Sequence, residues 1–204
     1  MTITLSNLSE WRFAAFEPVS GILQEGETWL AGGALRTLFS EKETIADFDI
    51  FFKNKGSLSQ AKAGLLASGF KQVFACPRGE LFTFFKKHDF DMQNMKLHDT
   101  AGVKVQCIAR RFYKDADDLI NSFDFTACMA AYDSKTLVLD KRMISSVKTK
   151  VLELNHLEYP VASLNRMMKY KEKGYTIPEK TLVSIVKEIT GKIFNEKQLA
   201  LYID

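Results

Sequence analysis

The chain has 204 residues, a net charge of +3, and apolar and charged fractions of 46% and 26%, which suit one globular domain or one domain with a small helical extension. No apolar run reaches membrane-spanning length, which excludes a spanning helix on sequence grounds. Cys76, Cys107 and Cys128 show no Cys-x-x-Cys spacing and His88, His98 and His156 are scattered, so no zinc site can be built from spacing, and an odd cysteine count fits a reducing compartment.

The start, Met-Thr-Ile-Thr-Leu-Ser, lacks a basic region followed by a long apolar one, so no signal peptide is expected and a cytoplasmic location is. Residues 6–18 hold Leu8, Trp11, Phe13 and Phe16 ahead of Pro18, and Ser6, Asn7 or Ser9 could cap a short helix there. Thr28–Ala31 is predicted as the first strand and Ala34–Phe39 as a helix with Leu35, Leu38 and Phe39 inward. Arg36 falls on another side of that helix, either reaching a phosphate or solvated. Asp47–Phe52 is the second strand. A helix over 58–68 follows, with Leu58, Ala61, Leu65 and Leu66 on one side and Gly69 as its C-terminal cap.

Strands are expected at Gln72–Cys76 and Leu81–Phe85, then a polar loop over 86–102, then a strand at Val103–Ile108. On that strand Val103, Val105 and Cys107 share one face, and Lys104 and Gln106 the other. Asp115–Leu119 begins a helix, Ala127–Tyr132 is apolar, and Leu137–Leu139 is a short strand. From about Thr149 the chain is expected to be wholly helical, with Pro160 and Pro178 opening helices and Gly174 closing one. Leu182, Ile185, Val186 and Ile189 form an apolar stripe, and Arg166, Lys169, Lys171 and Lys173 form a basic face, either solvated or tracking a nucleic-acid backbone. The fold class is α+β: a small mixed sheet packed on helices over residues 1–148, with a helical extension over 149–204.

Chemistry concentrates between residues 29 and 52. Gly32 and Gly33 follow a short apolar run, and a Gly-rich turn opening a helix offers backbone N–H groups to phosphate oxygens. In a strand, Asp47 and Asp49 point the same way while Phe48 and Ile50 point into the core. Two adjacent carboxylates repel unless a cation lies between them, and hard oxygen ligands suit Mg2+ or Mn2+. A phosphate cradle beside a metal pair points to a nucleoside triphosphate with its metal, although an ordinary tight turn and an acidic loop remain the bland alternative.

Leu30-Ala31-Gly32-Gly33-Ala34-Leu35-Arg36 followed by Asp47-Phe48-Asp49-Ile50 resembles the signature of the DNA polymerase β-like nucleotidyltransferases, with its closest likeness to the head domain of class II CCA-adding enzymes and bacterial poly(A) polymerases. Phe123-Asp124-Phe125-Thr126-Ala127-Cys128 through Asp133 resembles a second motif of that family, and Leu164-Asn165-Arg166 through Ile177 its neck helix. The resemblance implies a nucleotidyltransferase head with a neck-like extension. It also implies Asp47 and Asp49 as metal-binding and catalytic, Gly32, Gly33 and Arg36 on the triphosphate, Asp124 on the ribose, and Arg166 near the base or triphosphate.

The implied reaction moves a nucleoside monophosphate from a triphosphate such as ATP to a hydroxyl, first of all an RNA 3′ end such as that of tRNA. A protein partner or a homo-oligomer is compatible with it. The family's Asp after Arg is Thr37 here, its third metal-site acid falls on Gln106, and its neck motif Glu-Asp-x-x-Arg is missing. Those departures keep two alternatives open: an impaired nucleotide- or RNA-binding regulatory protein, and a small toxin-like nucleotidyltransferase acting on a protein or tRNA. No body or tail domain of the kind that grips tRNA in that family is expected within these 204 residues, which leaves another acceptor open too.

Overall fold

The structure is a computed structural model that describes residues 2–6, 14–40, 44–87 and 102–191. Most of the helix expected over 6–18, and the polar loop with Asp89, Asp91, Asp99, His88 and His98, lie outside the described residues. The architecture is α+β, and the described residues form one sheet of eight strands with helices packed on it. The strands are β1 (Thr2–Ser6), β2 (Thr28–Ala31), β3 (Phe48–Phe52), β4 (Lys71–Ala75), β5 (Leu81–Lys86), β6 (Val103–Ile108), β7 (Ala130–Tyr132) and β8 (Thr136–Asp140). Their spatial order is β1-β8-β7-β2-β3-β6-β5-β4. β3 and β6 pair in parallel and the other neighbours pair antiparallel, so the sheet is mixed.

Strand composition explains the central position of β2 and β3. Trp29, Leu30 and Ala31 are buried, as are Phe48, Ile50, Phe51 and Phe52, so both strands need cover on two faces. β4 is an edge strand, and all five of its residues are exposed. The helices are α1 (Glu17–Ser20), α2 (Gly33–Arg36), α3 (Lys55–Ala67), α4 (Ala116–Asn121), α5 (Lys141–Thr149), α6 (Pro160–Glu172) and α7 (Glu179–Thr190). Asn54 caps α3 in a reciprocal box with Ser57, accepting from its backbone N–H at 3.0 Å. Asp115 and Asp140 cap α4 and α5 one-sidedly, each accepting a backbone N–H at 2.8 Å.

Two clusters of buried apolar side chains organise the molecule. The larger lies on the sheet and includes Trp29, Phe52, Phe84, Val105, Leu119 and Met143. The smaller holds Phe125, Ala127, Leu152, Met167, Tyr170, Tyr175 and Ile185, between the 3-10 turn Thr126–Cys128 and helices α6 and α7.

Several expectations need correction. The chain is not wholly helical from Thr149: α5 ends there, Lys150 turns left-handed at φ 54°, and helix resumes only at Pro160. Residues between them bridge elsewhere, Phe125 with Leu154 and Val151 with Thr176, so their backbone bonds go to tertiary partners. The expected inward row of α3 is also narrower. Ala61 and Leu65 are buried, whereas Leu66 is 54% exposed because it follows Leu65 by about 100° around the helix. On α7 Ile185 is buried, while Leu182 and Val186, on the flanks of the same stripe, are exposed. Met168 likewise faces out beside the buried Met167. Among the described residues no helix is long and apolar enough to cross a membrane.

Candidate functional site

The site lies where β2 turns into α2, beside β3. Gly32 has φ 75° and ψ −129°, a conformation that strains any residue with a Cβ, and it is the N-cap of α2. This turn sets the backbone against β3: a Cβ at Gly32 would meet Asp49 Oδ2 at 3.5 Å. One residue on, a Cβ at Gly33 would meet the Arg36 guanidinium at 3.5 Å. The glycine pair therefore touches a carboxylate on one side and a cation on the other. First-turn N–H groups of a helix have no intrahelical acceptor. The structure brings together Gly32, Gly33, Arg36 and Asp49.

β3 carries the paired acids as its alternation requires. Phe48 and Ile50 are buried in the core, and Asp49 faces the opposite way. Asp47 lies one residue ahead of the strand and pairs with Lys104 of β6, Nζ to Oδ2 at 3.0 Å. The parallel register sets Asp49 opposite Gln106. Gln106, on which the resemblance puts the third acid, thus stands opposite Asp49 with a carboxamide. Among the described residues no three His, Cys, Asp or Glu side chains gather as a metal site.

Asp49 carries the electrostatic strain of the site. Its Oδ1 is buried without a hydrogen-bond partner, as are the hydroxyls of Thr28 and Thr126. An unpartnered hydroxyl is a modest cost, and an unpartnered carboxylate oxygen is a much larger one. Burial first, and the Asp47 charge second, raise the Asp49 carboxyl from 3.8 to about 7, against the pull of Lys104, Arg166 and Arg36. The folded chain therefore binds more protons than the unfolded chain between about pH 4 and about pH 7. Stability of the metal-free protein is expected to fall as pH rises through that window, by an amount on the order of a few kcal/mol. Asp49→Asn should flatten this fall, which urea titrations in chelator at pH 4.5 and 7.5 would read.

α6 contributes the far wall. Ser163, Arg166 and Tyr170 follow one another at three- and four-residue steps, which places them on one helix face. Ser163 Oγ donates to Asp124 Oδ2 at 3.0 Å, and Arg166 Nη1 donates to the same oxygen. Tyr170 is buried, and its hydroxyl accepts from Arg36 Nη1 at 2.7 Å and shares a 2.7 Å hydrogen bond with Cys128 Sγ. Burial raises the Tyr170 hydroxyl well above its ordinary value and the Cys128 thiol above its own, so both keep their protons at neutral pH and form an uncharged anchor for Arg36. Arg36 is accordingly 5% exposed and not a solvated surface residue. Arg166 donates to Asp124 and remains exposed, as do Lys169, Lys171 and Lys173.

Sequence reasoning singled out Asp124 and Arg166 but missed their direct pairing. It also missed Lys104, Ser163 and Tyr170 as site residues, and the contact of Cys128 with Tyr170. The helical spacing of Ser163, Arg166 and Tyr170 was the available signal. Thr37, which replaces the family's acid, donates to the Ala34 carbonyl at 2.7 Å and takes no part in the cluster.

Comparison with known proteins gives two kinds of likeness. The model of the Gabija anti-defense 2 protein family matches residues 5–150. A curated relative, Gabija anti-defense 2 of Bacillus phage SPbetaL7, is 32% identical over 167 residues, covering 80% of this chain and 38% of that protein. The chain therefore spans well under half the length of that relative. Among solved structures, a CCA-adding enzyme with ATP superposes at TM-score 0.65 and 16% identity, covering 99% of this chain and 51% of that one. An apo CCA-adding enzyme gives TM-score 0.64 at 14% identity, covering 97% and 49%. The Thermotoga maritima CCA-adding enzyme complexed with tRNA gives 0.59 at 17%, covering 92% and 47%. At these identities the likeness shows the polymerase β-like nucleotidyltransferase fold.

Proposed function

The chain belongs to the Gabija anti-defense 2 family, and we propose that it is a metal-dependent nucleotidyltransferase whose site is the Gly32–Asp49 cluster. The observation that carries this reading is the Asp49 carboxylate, whose Oδ1 is buried without a hydrogen-bond partner while its Oδ2 lies toward the Gly32 turn. An anionic oxygen without a donor is what a hard divalent cation satisfies, so Asp47 and Asp49 fit Mg2+ or Mn2+. Held there, such an ion would neutralise triphosphate charge and acidify an acceptor hydroxyl.

The remaining roles belong to the chain's own groups. The Gly32–Gly33 turn presents N–H groups to phosphate oxygens, and Arg36 adds a fixed guanidinium beside Gly33. Tyr170 holds that guanidinium in place. Arg166, half-exposed at the rim, is oriented by Asp124 toward the ribose and base side of a bound nucleotide. Residues 1–148 form the transferase head, and 149–204 its neck-like extension.

The donor is a nucleoside triphosphate, with ATP first, and the acceptor is an RNA 3′ hydroxyl such as that of tRNA, met in the cytoplasm. The name of the phage relative favours a second acceptor class, a component of the defence that it opposes. Binding without transfer is the competing reading, favoured by Gln106 at the third-acid position.

Incubation with Mn2+ or Mg2+ and each α-labelled triphosphate, with total RNA or with host lysate, separates these outcomes. Transfer of label with release of pyrophosphate is expected. Label on RNA or on a protein identifies the acceptor. Nucleotide-dependent thermal stabilisation with neither label nor pyrophosphate would replace transfer by binding.

A further inference from the structure

The strand beside the paired acids carries a cation where a third acid would be useful. On the face of β6 that meets β3, Lys104 stands against Asp47 with Nζ 3.0 Å from Oδ2, and Gln106 stands opposite Asp49. Gln106 is flanked on its other side by Thr83 of β5, so the row beyond Asp49 is uncharged. Asp49 Oδ1 is buried without a hydrogen-bond partner, whereas the Asp47 carboxylate is partly exposed and has the Lys104 ammonium against its Oδ2.

A pair of divalent ions a few ångströms apart needs anionic ligands on both sides to offset their mutual repulsion. Here the β6 side offers a carboxamide, a neutral and weaker ligand, together with a fixed positive charge. Resting on the nucleotide–metal reading of the site, we propose that Lys104 stands in for a second divalent ion, so that the centre takes one divalent cation per bound nucleotide. Asp49 receives that cation with Asp47 beside it, and the Lys104 ammonium at Asp47 Oδ2 supplies the positive charge that a second ion would bring. The arrangement departs from a two-ion centre by two side chains on one strand, Lys104 and Gln106.

The ions can be counted directly. The protein is saturated with a triphosphate analogue carrying a methylene between its α and β phosphates. Protein-bound Mn2+ and analogue are then measured by equilibrium dialysis, with Mn2+ confirmed by its electron paramagnetic resonance signal. The expected ratio is one Mn2+ per bound analogue for the native chain and for Gln106→Glu, which retains the Lys104 charge. The double variant Lys104→Ala, Gln106→Glu should rise to two. Two ions in the native chain would overturn the proposal without any variant, as would a ratio that stays at one in a double variant whose circular dichroism is unchanged. Analogue bound with no Mn2+ beyond that held by free nucleotide would overturn the metal reading itself, and the one-ion proposal with it.

Discussion

Alanine at both Asp47 and Asp49 is expected to lower nucleotidyl transfer by about 10³-fold or more, the scale of losing a preorganised group that offsets transition-state charge. The fold should survive, because the two side chains stabilise little. Asp47 makes a half-exposed pair with Lys104, and surface pairs of this kind contribute at most about 1 kcal/mol. Asp49 is unfavourable to folding while its buried oxygen lacks a partner. The sharper variant is Asp49→Asn, which keeps the shape and removes the charge. Transfer should be lost while thermal stability of the metal-free protein at pH 7.5 rises. Opposite movements of activity and stability mark a residue retained for function at a cost to the fold. Initial rates of label transfer, with melting curves of the same preparations, test both halves. A variant that melts lower and transfers normally would remove Asp49 from the site.

Asp124→Ala is expected to have the largest effect on stability. Its buried carboxylate joins the segment before β7 to helix α6 by accepting from Ser163 Oγ at 3.0 Å and from Arg166. Its backbone carbonyl also accepts from Asn155 N at 2.7 Å, which the substitution leaves intact. Removing the side chain strands the buried Ser163 hydroxyl and leaves the Arg166 guanidinium without its carboxylate partner. A loss of about 2–4 kcal/mol follows, toward the lower end of breaking a buried ion pair because Arg166 is half-exposed. The urea midpoint should fall with little change in slope. Asp124→Asn, which can still accept from Ser163, should lose roughly half as much. Nucleotide affinity should fall in both variants, since Arg166 loses the group that orients it. An unchanged midpoint in Asp124→Ala would mean that α6 docks through apolar contacts alone.

The parts of the site that were legible in the sequence are those fixed by local periodicity. Alternation in a strand predicts that Asp47 and Asp49 share a face opposite Phe48 and Ile50, because a period of two leaves no other arrangement once those two are buried. β2 was legible over Thr28–Ala31, where an apolar run ends at glycine, and Gln106 was singled out through the family resemblance, which puts a third acid there. The pairing of Lys104 with Asp47 required the register of two strands some fifty residues apart, which no local pattern encodes.

The same holds for Arg36 and Tyr170, which are separated by 134 residues and joined by one hydrogen bond. Arg36 reads as a surface residue by composition, and it is buried because a tyrosine hydroxyl and ring meet its guanidinium. Residues 150–159 misled the reading for the opposite reason. Their composition permits helix, but bridges to Phe125 and Thr176 hold them extended. Strand β1, which pairs with β8, and helix α5 went unpredicted: each is short, and each takes its stability from the sheet it packs on.

The most direct measurement is a crystal structure of the protein with the non-hydrolysable triphosphate and Mn2+, read at the manganese absorption edge. An anomalous peak within ligand distance of Asp47 or Asp49, with triphosphate oxygens on the Gly32–Gly33 amides and Arg36, is the expected result. Nucleotide bound elsewhere, or a manganese peak remote from both carboxylates, would contradict the nucleotidyltransferase site.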